Sequence, residues 1–392
     1  MKKIICIFSS VSIILATLFC CLSLTNNVAY AEEDIPYRSL YVIDYNTGTV
    51  IKAINENEKY PIASMVKIMT LNLVFDEISK GNLDINEKIT ISDTASSMGG
   101  SQMFLEANDE YTVSDLIKGV VICSANDAAT ALGERISGSI DAFVTKMNTY
   151  AKEIGMNNTL FCNATGLPYS GEQYSTAKDV TIMMQKLLSH DKYYAYAKIW
   201  MEDYTHPDGR ITGIVNTNKL VRFMPECDGG KTGYTKEAGF CLSATAKSGN
   251  TRIISTLLGG KDSKSRFNAV SSSLKEALSK YETKIIVKKG EVFTQKVDVK
   301  NANSESLEFY CGEDLTIFGE KNKNVEYKVT LKLNSNLQAP LKKDSEIGTI
   351  TLHNIDGSVI KTAKVYLNAP IDKISYLDSL QKIIRHWSIG RK

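Results

Sequence analysis

The sequence predicts an α+β protein: a domain mixing helices with strands, followed by a small all-β domain, a sandwich. Three observations carry that expectation. Between residues 39 and 283, apolar residues switch between the two-residue rhythm of strands and the three-to-four-residue rhythm of helices. After Thr283 the texture changes to seven short alternating runs separated by polar turns. The length of 392 residues leaves room for two or three domains.

Charge and composition narrow the function classes. A net charge of +2 gives no reason to expect a nucleic-acid partner. The four histidines, His190, His206, His353 and His386, are not paired at metal-ligand spacing, so neither a metal nor a cofactor is expected. Their scarcity also weakens a Ser-His-Asp reading.

Residues 1–31 read as an export signal. Lys2 and Lys3 form a basic end, residues 4–24 an apolar core, and Ala29-Tyr30-Ala31 a cleavage site before Glu32. Lipoprotein processing at Cys20 or Cys21 fits poorly, because the bulky Phe19 precedes Cys20. The mature chain is therefore expected outside the cytoplasmic membrane. Five cysteines remain after cleavage: Cys123, Cys162, Cys227, Cys241 and Cys311. An odd, scattered set is not a disulfide framework, and most of these read as small buried hydrophobes.

The elements follow in order. Tyr41-Val42-Ile43 and Thr49-Val50-Ile51 flank Asn46-Thr47-Gly48 as a hairpin. Pro61 precedes a helical pattern from Ser64 to about Lys80, which Gly81 and Asn82 end. Gly99-Gly100-Ser101-Gln102 is the most irregular point of a polar stretch. Thr112 or Ser114 can cap the next helix. Helical spacing resumes at residues 128–136, 140–154 and 176–188, and residues 204–218 read as a loop with a turn at His206-Pro207-Asp208-Gly209. Strands are expected at 239–246 and 251–259, then a helix from about Ser265 to Tyr281. The final segment, 371–392, carries Ile374, Leu377, Leu380, Ile384 and Trp387 on one stripe, with Lys382, Arg385, Arg391 and Lys392 among the polar positions. It reads as an in-plane membrane anchor, too short in continuous apolar residues to span.

Three short motifs carry chemistry. Ser64 and Lys67 are three apart, so on a helix they share a face. A serine hydroxyl needs a base within reach, and a lysine amine serves if burial or another cation lowers its pKa. Alone the spacing is weak, since Ser272-Ser273-Leu274-Lys275 repeats it on an ordinary helix. Ser124 and Asn126 lie two apart between helical runs, where a loop lets both face a pocket; a helix cap explains them equally well. Lys231-Thr232-Gly233 is the most specific of the three and is expected on a strand, where Gly233 lets a ligand approach the backbone closely.

This set, Ser64-x-x-Lys67, Ser124-x-Asn126 and Lys231-Thr232-Gly233, resembles that of the low-molecular-mass penicillin-binding proteins, the serine-type D-alanyl-D-alanine carboxypeptidases of peptidase family S11. The resemblance spans nearly the whole chain. It implies a penicillin-binding-protein/β-lactamase-like catalytic domain, a helical cluster on an antiparallel sheet of about five strands. The N-terminal hairpin and the strands after Lys231 would share that sheet. The expected organisation is a signal at 1–31, a catalytic domain at 32–283, a β-rich domain at 284–370 and an anchor helix at 371–392. The resemblance implies Ser64 as nucleophile, Lys67 as general base and Ser124 as proton relay. Asn126 would orient a substrate amide, and Lys231 and Thr232 would hold the terminal carboxylate beside Gly233. The backbone N–H groups of Ser64 and Tyr234 would form the oxyanion hole. The implied partners are peptidoglycan stem peptides ending in D-Ala-D-Ala, β-lactams as covalent inhibitors, and the outer face of the cytoplasmic membrane.

Two other readings compete. A class A β-lactamase would carry a water-activating glutamate after the Ser-x-Asn motif, yet residues 154–171 hold no Asp or Glu. A catalytically silent wall-binding protein would have lost Ser64, Lys67 or Lys231, and all three are present. The loop Ala164-Thr165-Gly166-Leu167 departs from the Pro-His pair of many relatives, for which only local differences are expected.

Overall fold

The computed structural model describes residues 35–168, 171–297, 299–302 and 306–389. The expected export signal, the side chains of Lys382, Arg385 and Trp387, and residues 390–392 lie outside what is described. Five strands form the central sheet: β1 (Ser39–Asp44), β2 (Val50–Ile54), β3 (Cys227–Thr235), β4 (Gly239–Ser248) and β5 (Thr251–Gly260). Their spatial order is β2-β1-β5-β4-β3, antiparallel throughout. The N-terminal strand thus pairs with the last strand of the domain, Tyr41 opposite Thr256, and closes it. Strand β3 lies at the edge, with one backbone side unpaired by the sheet.

Each face of the sheet has its own core. On one, Val270, Leu274 and Ala277 of a helix at Ser263–Lys280 pack on Leu40, Val42, Leu242 and Leu257. The other carries the larger core, centred on helix α1 (Lys67–Ser79). Nine consecutive residues of α1, Lys67 to Phe75, are buried, as expected of a helix surrounded on all sides. Its two uncharged polar residues there donate to carbonyl groups, Thr70 Oγ1 to that of Ala164 at 2.8 Å and Asn72 Nδ2 to that of Met183 at 2.8 Å, while Asn72 Oδ1 has no partner among the described residues. Around it stand α2 (Val113–Ile122), α3 (Asn126–Ser137), α4 (Ile140–Glu153) and α5 (Ala177–Leu187). Thr112 caps α2, forming a reciprocal capping box with Asp115.

The sequence reading missed two ribbons. Residues 204–215, expected as loop, belong to a hairpin instead, Met201–Thr205 paired with Ile211–Val215 around the His206–Gly209 turn. Only Tyr204 and Ile214 are buried on its inner face, so the alternation is too short to read. A second ribbon pairs Lys88–Thr90 with Glu110–Thr112, three residues each.

After the helix at Ser263–Lys280 the chain forms a β domain. Its larger sheet runs Val292–Lys296, Ser306–Cys311, Val359–Leu367, Glu346–Asn354, Tyr327–Leu333 in spatial order; Tyr281–Val287 pairs separately with Leu315–Glu320. Leu307, Phe309, Ile347, Leu352 and Val365 fill its core. Thr283 Oγ1 donates to Asp44 Oδ1 at 3.1 Å, tying this domain to the catalytic sheet, and within the domain the Tyr281 ring stacks on Phe318 with centroids 5.1 Å apart. The terminal helix, Tyr376–Ile389, exposes Tyr376, Leu377, Leu380 and Ile384.

Candidate active site

Ser64 does not sit within a regular α-helix. It lies in a 3-10 turn, Ala63–Val66, that leads into α1. Ala63, just before it, has φ +48°, a left-handed conformation that costs a residue with a Cβ on the order of 1–2 kcal/mol. The turn is held from two sides. A Cβ on Gly166 (φ +84°) would lie 1.9 Å from the Ala63 carbonyl oxygen and 2.8 Å from the Ser64 nitrogen, so the 163–167 loop presses its bare backbone on the turn. On the other side, a Cβ on Gly233 would lie 2.7 Å from the Ile62 carbonyl oxygen. The expectation that Gly233 is small to admit a ligand is therefore revised: the closeness of the Ser64 turn to β3 is what demands glycine there.

Lys67 is fully buried and its amine lies within hydrogen-bond reach of three oxygen atoms. Its Nζ lies 3.1 Å from Ser64 Oγ, 2.6 Å from Asn126 Oδ1 and 2.7 Å from the Thr165 carbonyl oxygen. Burial pushes its pKa well below the usual lysine value, and the nearby Lys231 charge pushes the same way. The Thr165 carbonyl was not foreseen. Asn163 shapes that loop, its Oδ1 accepting from the N–H groups of Thr165 at 3.1 Å and Gly166 at 2.6 Å. The legible signal was Asn163-x-x-Gly166, an Asn-initiated turn ending in glycine.

Ser124 lies in the break between α2 and α3, as expected, whereas Asn126 is already the first residue of α3 rather than part of the loop. Ser124 is left-handed (φ +63°) and buried, and its Oγ has no hydrogen-bond partner among the described residues. The Asn126 amide is already engaged at both ends: Oδ1 accepts from Lys67, and Nδ2 donates to the Gly99 carbonyl at 2.6 Å. Asp127 anchors the neighbouring stretch, accepting from the N–H groups of Met103 at 3.0 Å and Leu105 at 3.2 Å. No carboxylate hydrogen-bonds Ser64 or Lys67 among the described residues.

Lys231 lies on edge strand β3, opposite Ser243 of β4. Its Nζ donates to the Thr232 carbonyl at 3.1 Å, and no acidic side chain pairs with it among the described residues. Burial lowers its pKa to about 7, and Arg266 adds to that. Thr232 is buried beside it, while the Tyr234 ring is 58% exposed and packs on Phe240 with centroids 4.3 Å apart. Lys67, Lys231 and Arg266 thus gather three basic side chains here, of which Lys67 is the one whose charge burial and the neighbouring Lys231 disfavour most.

Residues 26–262 match the family of D-alanyl-D-alanine carboxypeptidases, peptidase S11. The chain belongs to that family. Residues 281–373 match the C-terminal domain of penicillin-binding protein 5. Among relatives, the family member DacF of Bacillus subtilis is 38% identical over 353 residues, 90% of each chain. DacC of Escherichia coli is 35% identical over 321 residues, 80% of this chain and 79% of the relative. In structure, penicillin-binding protein 5 of Haemophilus influenzae superposes with a TM-score of 0.67 at 30% identity, covering 86% of this chain and 98% of that one. The ampicillin-bound penicillin-binding protein D2 of Listeria monocytogenes covers 62% of this chain and 96% of its own, with a TM-score of 0.55 at 30% identity. The carboxypeptidase family thus accounts for the catalytic sheet with its helices and for the β domain that follows. The chain is a serine-type carboxypeptidase with a penicillin-binding-protein fold.

Proposed function

We propose that Ser64 is the nucleophile with which this D-alanyl-D-alanine carboxypeptidase removes the terminal D-alanine from peptidoglycan stem peptides. The observation that carries the reading is the coordination of Lys67. Asn126 Oδ1 and the Thr165 carbonyl can only accept, so they take the two N–H bonds of a neutral amine. The lone pair is then left for the one remaining neighbour, the Ser64 hydroxyl. Lys67 accepts the Ser64 proton as Oγ attacks the penultimate D-alanine carbonyl. The tetrahedral oxyanion rests on the N–H groups of Ser64 and Tyr234; such donors are worth about 3 to 4 kcal/mol each. Ser124, whose hydroxyl has no other partner among the described residues, passes a proton to the leaving amine, the C–N bond breaks, and D-alanine departs. Water then cleaves the Ser64 ester.

Specificity follows from charge. Lys231, buried without an acidic partner among the described residues, and Thr232 bind the free C-terminal carboxylate. Asn126 Nδ2 spends one hydrogen on Gly99 and keeps the other for a substrate carbonyl, so Asn126 both fixes Lys67 and orients the peptide. Gly233 lets β3 approach Ser64, and the free edge of β3 receives the peptide as an added strand. β-Lactams acylate Ser64 as substrate mimics. The ester is long-lived, because a peptide carbonyl, that of Thr165, faces Lys67 where a β-lactamase needs a carboxylate.

We further propose the domain limits 1–31, 32–283, 284–370 and 371–392, with the last segment lying in the outer face of the cytoplasmic membrane. The exposed Tyr376, Leu377, Leu380 and Ile384 support in-plane binding, and among the described residues no helix is long and apolar enough to cross a membrane. The test is intact-protein mass spectrometry of the protein mixed with benzylpenicillin, beside Ser64→Ala, with D-alanine release measured in parallel. A lasting adduct on the wild type alone, with release abolished in a folded Ser64→Ala protein, is the expected result. Release persisting in Ser64→Ala overturns the assignment.

A further inference from the structure

Arg266 is 7% exposed, lies outside the three motifs, and pairs with no acidic side chain among the described residues. A buried guanidinium without a carboxylate is costly unless carbonyl groups satisfy it. Here they do so in part: Nη1 donates to the carbonyl oxygens of Gly233 at 3.2 Å and Cys241 at 3.1 Å and Nη2 to Ser263 Oγ at 3.5 Å, while Nε has no partner among the described residues. These two residues face each other across β3 and β4. The Arg266 guanidinium also lies 5.4 Å from the Phe240 ring, against which the Tyr234 ring packs. Arg266 therefore holds the peptide that precedes Tyr234 directly, and reaches the Tyr234 ring only through Phe240.

The Gly233 carbonyl and the Tyr234 N–H belong to one peptide unit. In a trans peptide the two point in opposite directions. A cation fixed on the carbonyl therefore sets where the N–H points. It also polarises the unit, making the N–H a stronger donor. We propose that Arg266 is a positioning residue for the oxyanion hole: it holds and polarises the Gly233–Tyr234 peptide so that the Tyr234 N–H meets the developing oxyanion. The inference rests on the reading of Ser64 as nucleophile and of the Tyr234 N–H as an oxyanion donor.

The test uses the full chain acylated by benzylpenicillin carrying carbon-13 at the β-lactam carbonyl, followed by difference infrared spectroscopy. In the wild type the ester carbonyl band lies at lower wavenumber than in the denatured acyl-enzyme. In Arg266→Gln the band moves back towards the denatured position. The acylation rate constant and kcat fall about tenfold or more, while KM stays within about twofold. Arg266→Lys, which keeps the charge, lies between. A band and kcat unchanged in both variants overturn the role of Arg266 while leaving Ser64 as nucleophile. If Arg266→Gln fails to fold, an unmoved band in Arg266→Lys overturns it. A wild type without an adduct sinks the Ser64 reading instead, and a wild-type band equal to the denatured one sinks the Tyr234 donor.

Discussion

Gly166→Ala tests how far the loop beside Ser64 controls the nucleophile. The new Cβ would lie 1.9 Å from the Ala63 carbonyl oxygen, whereas real contacts need about 3.2 Å, so something must move by about 1 Å. What moves is the Ala63–Ser64 backbone or the Thr165 carbonyl that binds Lys67, and each holds a reacting group. A misplacement of about 1 Å costs on the order of a hundredfold in rate, or about 2.7 kcal/mol. The left-handed φ adds about 1–2 kcal/mol of lost stability, a fall of roughly 2–8 °C in Tm. Gly155→Ala separates the two effects, since Gly155 has φ +88° but no neighbouring atom within 4 Å of its Cβ position. Both variants should lose stability, and only Gly166→Ala should lose acylation. The assay is the acylation rate with a fluorescent penicillin, beside thermal melts followed by circular dichroism. Acylation of Gly166→Ala within threefold of wild type would refute the reasoning.

Other perturbations follow from the charges. The profile of kcat/KM against pH should be bell-shaped. Its acid limb falls where Lys67, lowered by burial, gains a proton and ceases to be a base; its alkaline limb falls near pH 7, where Lys231 in the free enzyme loses the charge that binds carboxylate. Bound carboxylate favours charged Lys231, so the alkaline limb of kcat should lie higher than that of kcat/KM, and coincident limbs would contradict the assignment. Asp228→Ala should cost about 3–5 kcal/mol in urea melts, because it strands buried Arg252, now held at 2.7 and 2.8 Å. Burial pushes the thiols of Cys123, Cys227 and Cys241 up to about 11, so iodoacetamide at pH 7.5 should leave all three unmodified in the native protein by peptide mass mapping, and leave penicillin binding intact. Truncation after Pro370 should free the protein from anionic vesicles in sedimentation without changing turnover of soluble peptides.

Much of this protein is local, and local features are legible in a sequence. The Thr112 cap, the break between helices at Ser124, the strand under Lys231 and the seven strands from Tyr281 onward each depend on residues close in the chain. The hairpin at 201–215 escaped notice because its buried face comprises just two apolar residues, Tyr204 and Ile214. Ser64 and Lys67 could be paired on spacing alone, being three apart on one turn. Whether Lys67 is a base could not be read that way. That depends on burial, on Asn126 59 residues on, and on the Thr165 carbonyl 98 residues on. A backbone carbonyl has no sequence signature, and a pKa is set by surroundings rather than by the residue type. Arg266 is the plainest case: as one arginine in a helix it says nothing, and only the closure of the sheet brings it to the Gly233 carbonyl, 33 residues back. The sequence by itself determined which groups are available for the chemistry. Tertiary structure alone decided which of them are dry, charged and touching.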